Sequence, residues 1–359
     1  MIKLIKPYIS FDEVETDFRE VFESGWFTKG KFVEDFRGDL KSYTGARHAF
    51  LATSATTALT ACLKILDIKI GDEVIVSDFS FPATVNVVED VGATPVFADV
   101  SLETFNMLPE ELEKKITNRT KAVIFVDALG NPSGIHEIKK ICQKHNIILI
   151  EDAACAIGSS EFGNKCGNIA DLTCFSFHPR KLLTTGEGGA ITTNNEEFAK
   201  KLDVKLNHGS IFKNDKFDFV DFGYNYRLPE LQAIMGIKQI KKLDSIIKNR
   251  NEVRDHFVKC LQPLDFKVQR ITSDVIHNVQ SLVFVLPARI DRNSLIQKLK
   301  VSGVETTLGT YSLSACTFYR NKYNNVQSNS SYLEKHTLTI PCYEGLDVEK
   351  VFKAIGEQV

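Results

Sequence analysis

The first two thirds of the chain alternate short apolar runs with amphipathic segments, and this alternation restricts the fold more than any other feature. The runs Ala49–Ala52, Glu73–Val76, Pro95–Phe97, Ala122–Val126, Ile147–Glu151, Leu172–Phe177 and Gly189–Thr192 are predicted strands. Several are unbroken Val, Ile, Leu or Phe stretches, as expected of strands buried on both faces. Between them, Thr57–Leu66, Ala83–Val91, Pro109–Ile116 and Ile135–His145 have helical spacing. In the last, Ile135, Ile138 and Ile141 share one face and lysines fill the other. This order predicts βαβ units and an α/β fold with a mostly parallel sheet.

Beyond Pro229 a single helical pattern, from Glu230 to Cys260, reads as a bridge out of the first domain. The rest predicts a small α+β domain: a strand at Gln280–Leu286, a helix at Arg292–Val301, an exposed polar loop within Tyr319–Ser331 and a final helix at Val348–Gln358. The expected division is a large domain over 1–245 and a small C-terminal domain over 246–359. A chain of 359 residues fits two domains. Its net charge of −2 offers no broad basic field, so neither nucleic acid nor a membrane is expected as a partner. No apolar run approaches the ~20 residues of a membrane span, and the N-terminus turns acidic too early for a signal peptide. The eight cysteines form no Cys-x-x-Cys pair and read as reduced thiols of a cytoplasmic protein. Cys142 and His145 have metal-like spacing but no second pair, so no metal site is expected.

Five segments carry candidate chemistry. In Leu172–Asn194, LTCFSFHPRKLLTTGEGGAITTN, Lys181 follows a strand end, where α/β folds hold their ligands. Glycines 186, 188 and 189 permit close backbone approach there. An amine so placed can form a Schiff base with an aldehyde cofactor, or it is a surface lysine. In IILIEDAACAIG, a buried strand delivers Glu151 and Asp152 to its carboxyl end. Asp152 fits the carboxylate that keeps a pyridine nitrogen protonated, or a helix N-cap. In LATSATTAL, Thr53, Ser54, Thr56 and Thr57 stand where a strand gives way to a helix, which suits a phosphate or a plain cap. In SDFSFPATVN, Phe79 or Phe81 could stack on a planar ring. In DFGYNYRLPELQ, Asn225 could donate to a phosphate and Arg227 pair with an anion, or both belong to a turn.

Taken together, these segments resemble the DegT/DnrJ/EryC1/StrS family of pyridoxal-phosphate sugar aminotransferases. SGWFTKGKFVEDF (24–36), SATTAL (54–59), GDEVIV (71–76), SFPAT (80–84), GATPVFADV (92–100), EDAACAIG (151–158), SFHPRKLLTTGEGG (176–189), NHGS (207–210) and GYNYRLPELQA (223–233) follow the family's order and spacing. The resemblance spans nearly the whole chain. It implies the aspartate-aminotransferase-like fold type I and a homodimer with active sites shared between subunits. It implies Lys181 as the Schiff-base lysine, Asp152 as the partner of the pyridine nitrogen and Phe81 as the stacking aromatic. Thr56, Thr57 and Ser176 match phosphate ligands, and Asn225 matches the asparagine that reaches the phosphate from the neighbouring subunit. Thr28, Gly30, His178, Arg227 and Tyr311 fall on the substrate side.

Some family members are dehydratases with histidine in place of the lysine, so Lys181 favours transamination. The expected substrates are a nucleotide-linked keto-sugar and L-glutamate, for the amino sugars of cell-surface glycans. TTGEGG and GYNYR look more like the 4-amino-sugar and perosamine-synthase branch. Two positions depart from the family: Cys155 stands where Gln, His or Glu is frequent, and Thr310–Ser314 lacks a Tyr-Pro-Leu-His-like stretch. These departures leave open a smaller phosphorylated ketone or an elimination. A non-catalytic regulatory relative is the third reading.

Overall fold

The computed structural model describes all 359 residues. Seven strands build the central sheet: β1 (His48–Ala52), β2 (Glu73–Ser77), β3 (Thr94–Ala98), β4 (Thr120–Val126), β5 (Ile148–Asp152), β6 (Leu172–Ser176) and β7 (Gly189–Thr193). Their spatial order is β1-β7-β6-β5-β4-β2-β3. β7 runs antiparallel to β1 and β6, and the remaining pairs are parallel. The architecture is α/β with a mostly parallel mixed sheet, as predicted.

Alternation explains why the strands read as continuous apolar runs. Val74, Val76, Ala122, Ile124 and Ile150 enter a core with helices Ala55–Ile65, Ala83–Asp90 and Glu196–Lys205. Their neighbours Ile75, Val123, Phe125 and Leu149 point to the opposite face, beneath helix Ile135–Lys144. Helices Lys31–Thr44 and Glu230–Ile240 cover that same face beside Leu51, Phe175 and Ala190. Both faces are covered, so both sets of alternating residues are mostly apolar, and buried polar exceptions such as Glu151 and Thr173 hydrogen-bond to each other.

A second sheet is antiparallel, in the order Lys267–Val268, Leu282–Val285, Thr337–Ile340, Thr307–Leu308. With helices Leu243–Leu261, Arg292–Val301 and Val348–Gly356 it encloses a separate apolar cluster that includes Phe257, Phe284, Leu299 and Val351. The chain laces between the two cores. Tyr311–Ser312 pairs with Phe79–Ser80, and Val275–Ile276 pairs with Ser160–Glu161. The N-terminus also joins the second core, because the Ile2 amide donates to the Gly303 carbonyl at 2.7 Å.

One expectation is corrected. The predicted 230–260 helix is two helices, Glu230–Ile240 and Leu243–Leu261, with a non-helical Lys242 at φ −112° and ψ 7°. Ile234 and Ile237 before the break and Leu243, Ile246 and Ile247 after it pack on the large core, and the second helix reaches the small core further along, at Phe257 and Leu261. The exposed loop expected within 319–331 spans 324–327, with 324–326 exposed, between helices Thr317–Tyr323 and Ser328–His336. Tyr319 packs edge-on against Phe97, and Ser330 is fully buried.

Candidate active site

The carboxyl ends of five parallel strands converge on one cleft of about 530 Å³. β1 leads to Ser54, Ala55 and Thr56; β2 to Phe79 and Phe81; β4 to Ala128; β5 to Asp152 and Cys155; β6 to Ser176, His178 and Lys181. The C-terminal third closes the other side with Gln280, Thr307–Tyr311 and Ile340. Strand ends expose backbone groups and reverse direction, so this rim is where a parallel sheet gathers side chains.

Asp152 is almost completely buried as the last residue of β5. Its Oδ2 accepts from the Thr84 hydroxyl at 2.8 Å, and its Oδ1 from the Ala154 amide at 3.2 Å. No helix begins after it, which removes the N-cap reading. Burial pushes its carboxyl above the ordinary range, while Thr84, Ala154 and the Lys181 charge pull it back down. A buried carboxylate of this kind is matched by a cation placed beside it. Behind it, Glu151 accepts from Thr173 at 2.6 Å and from the Gly167 amide at 3.1 Å. The remaining Glu151 oxygen and both Asp127 oxygens meet no N–H or O–H donor. Burial raises both carboxyls, and the neighbouring Glu151 charge raises Asp127 further.

Lys181 lies in the irregular segment between β6 and β7, and its Nζ donates to Cys155 Sγ at 3.0 Å. Cys155 is thus the neighbour of the lysine amine despite being a weak acceptor. The N-terminus of helix Ala55–Ile65 faces the same cleft. Ser54 caps it by accepting from the Thr57 amide at 3.1 Å. The first-turn amides of Ala55 and Thr56 have no intrahelical acceptor and are available to an anion. Gly189 lets β7 press against this turn, since a Cβ there would lie 2.5 Å from the Ser54 carbonyl carbon. The two phenylalanines divide: Phe79 is fully buried, while Phe81 is 64% exposed on the cleft wall. Tyr311 stands edge-on to Phe81 with ring centroids 6.3 Å apart. His178 also lines the cleft, and burial lowers its pKa while Glu187, 3.9 Å away, raises it.

Five predicted site residues lie outside this cleft. The Thr57 hydroxyl is spent inside the cap, donating to the Ser54 carbonyl at 2.9 Å. Thr28 bridges to Pro229, and the Gly30 amide donates to Glu230 Oε1 at 2.9 Å. Asn225 bridges to Asn207. Arg227 leaves its Nε buried without an acceptor. Sequence reading also passed over Thr84, although it sits in the quoted SFPAT string. It placed Gln280 only at the start of a predicted strand, about a hundred positions from the peptides of Arg180 and Leu182 that its side chain meets in space.

The donor set fits pyridoxal phosphate. A helix N-terminus with free amides and the hydroxyls of Thr56 and Ser176 suits the phosphate, Phe81 offers a ring face, Asp152 requires a cationic partner and Lys181 supplies the amine. Fold and site together define a pyridoxal-phosphate-dependent aminotransferase of fold type I.

Comparison with known proteins agrees. Residues 10–358 match the DegT/DnrJ/EryC1/StrS aminotransferase family. The spore coat polysaccharide biosynthesis protein SpsC of Bacillus subtilis is 32% identical, over 98% of this chain and 96% of its own. The GDP-perosamine synthase of Escherichia coli O157:H7 is 30% identical, over 98% and 95%. The pyridoxal-phosphate form of the putative sugar aminotransferase Spr1654 from Streptococcus pneumoniae superposes with a TM-score of 0.92 at 27% identity, over 99% of this chain and 97% of that one. The chain belongs to the DegT/DnrJ/EryC1/StrS aminotransferase family and is a sugar aminotransferase. No helix in it is long and apolar enough to cross a membrane.

Proposed function

We propose that this enzyme moves the amino group of L-glutamate to the carbonyl carbon of a nucleotide-linked keto-sugar, supplying an amino sugar for a cell-surface glycan. The observation that carries the reading is that Asp152, at the end of β5, and Lys181, in the segment that follows the adjacent parallel strand β6, open to one cleft. The nucleotide-sugar substrate follows the perosamine-synthase relative, and the glycan role follows that relative and SpsC.

Pyridoxal phosphate supplies a carbonyl that exchanges nitrogen and a ring that delocalises an electron pair. The residues do the rest. The amides of Ala55 and Thr56 and the hydroxyls of Thr56 and Ser176 hold the phosphate. Phe81 holds the ring face. The Asp152 carboxylate keeps a proton on the ring nitrogen. Lys181 Nζ would move a proton between the donor's α-carbon and the former carbonyl carbon of the cofactor, across the nitrogen between them, and the same steps reversed would deliver nitrogen to the sugar. His178 and Tyr311 line the substrate side.

The functional unit in this proposal is a homodimer. Phe212, Phe217, Phe219 and Phe222 are exposed on and beside the hairpin formed by Ser210–Lys213 and Lys216–Phe219, an apolar surface suited to a second copy. Thr28, Gly30, Asn225 and Arg227, which miss their own cleft, then serve the partner's. Eight free thiols suit a reducing cytoplasm.

The test is product formation from a panel of keto-sugar nucleotides with glutamate. Production of 2-oxoglutarate in equal amount to an amino-sugar nucleotide is expected. Transfer only to small phosphorylated ketones, or ammonia release without transfer, would overturn the substrate assignment.

A further inference from the structure

Lysine reaches its target through a flexible four-carbon stem, so its amine is only as well placed as its backbone. Lys181 lies in a segment with no regular structure. Its own amide donates to the His178 carbonyl at 2.8 Å, which closes a turn but does not tie that turn to anything rigid.

The tie comes from the C-terminal third of the chain. The Gln280 side chain is almost fully buried against this loop. Its Oε1 accepts from the Leu182 amide at 2.7 Å, and its Nε2 donates to the Arg180 carbonyl at 2.8 Å. One amide side chain therefore grips the peptide groups on both sides of Lys181. Gln280 is itself held: its amide donates to Asn278 Oδ1 at 2.8 Å, and its carbonyl accepts from Arg250 at 3.1 Å. Asn278 in turn donates to the carbonyls of Cys155 and Ile157, each at 2.9 Å. The same short segment thus grips the loop that carries Lys181 and the loop that follows Asp152.

We propose that Gln280 is the positioning residue for Lys181, fixing the backbone from which the amine moves protons between substrate and cofactor. The inference rests on Lys181 being the cofactor-bonding residue. Proton transfer is sensitive to misplacement on the scale of ~1 Å, where losses of about 100-fold arise. Gln280 touches no reacting atom; it acts through the lysine.

A second buried glutamine provides an internal control. Gln239 accepts from the Thr184 amide at 3.1 Å and donates to its carbonyl at 2.6 Å. It braces the same loop by the same chemistry, but not the peptides flanking Lys181.

The experiment compares Gln280→Met and Gln239→Met with the unaltered enzyme. In cofactor-free protein, hydrogen exchange at the Leu182 amide should rise by about 10-fold or more in Gln280→Met, as expected for loss of a buried hydrogen bond. It should change little in Gln239→Met. In the loaded enzyme, Gln280→Met should lower kcat by about 10- to 100-fold, with KM for both substrates within about 2-fold because both polar atoms of the Gln280 side chain are already spent on the loop. Equal kcat losses in the two variants, or unchanged Leu182 exchange in Gln280→Met, overturn the proposal. If Gln280→Met does not fold, Gln280→Glu keeps the Leu182 bond and loses the Arg180 one. It should then lose kcat by about 3- to 10-fold, and full activity would overturn the proposal. The exchange measurement needs neither cofactor nor substrate. Failure of sugar amination in the unaltered enzyme is therefore told apart from failure of the clamp.

Discussion

At the scale of single residues, two side chains divide the chemistry because their surroundings differ. Asp152 is sealed at a strand end with two hydrogen-bond donors, and burial raises its carboxyl. A cationic ring nitrogen reverses that penalty, so cofactor and carboxylate stabilise one another. Asp152→Asn should keep the fold and lower kcat by about 100-fold or more, since a neutral amide cannot hold the ring proton. Lys181→Ala should lower turnover by at least about 1,000-fold and leave no adduct trapped by borohydride. Intact trapping in the purified variant would contradict the role of Lys181. Both residues were legible because each follows an apolar run and precedes turn-forming residues. Thr57 was misread because a threonine at a helix start serves equally well inside the cap. Asn225, expected to reach the phosphate from a neighbouring subunit, and Arg227 both lie outside the one-chain cleft.

At the scale of elements, the start of helix Ala55–Ile65 is set by its contact with β7. Ser54 and Thr57 close a reciprocal cap, and Gly189 lies directly against the Ser54 carbonyl and the Ala55 amide. Gly189→Ala places a methyl group 2.5 Å from backbone that has no flexible end to yield. The variant should lose about 1–3 kcal/mol of stability from overpacking. It should also bind pyridoxal phosphate more weakly, because the displaced turn carries the anion-binding amides. Thermal melts with and without cofactor measure both, and a variant stabilised by cofactor as strongly as the unaltered protein would show that the turn had not moved. The strands of the large sheet were legible because covered faces on both sides leave few polar positions to interrupt them. The break at Lys242 was not, since isoleucine, leucine and lysine fill both flanking helices alike. Helix Ser328–His336 was hidden by its Ser and Asn content. Its first turn is fixed by Asp99, which accepts from the amides of Asn329 at 2.9 Å and Ser330 at 3.0 Å.

At the scale of the whole molecule, a second carboxylate decides how the C-terminal third closes the cleft. Asp78 follows β2 and is completely buried. It accepts from the Ser312 hydroxyl at 3.0 Å, the Ser314 amide at 2.7 Å and the Ser314 hydroxyl at 2.8 Å, and from the Ser330 hydroxyl. Ser312 is the strand partner of Phe79, and Tyr311 beside it faces Phe81 across the cleft mouth. The side of the cleft that differs most from the family pattern is therefore anchored by a serine-lined carboxylate. Burial raises the Asp78 carboxyl from 3.8 to about 6, against the opposing pull of its four donors. Between those values the folded chain holds a proton that the unfolded chain has released. Stability must then fall as pH rises through this window, and the Asp78 contribution is constant above and below it. At about 1.4 kcal/mol per pH unit the Asp78 effect is about 3 kcal/mol. Asp78→Asn is neutral at every pH and lacks it. Unfolding free energies from urea titrations of both proteins at pH 3.5 and 7.5 isolate this one group from the other carboxyls. The unaltered protein should lose about 3 kcal/mol relative to the variant on going to the higher pH. A difference between the two proteins that stays constant across the window would mean that Asp78 is ionised throughout, and that its four donors outweigh its burial.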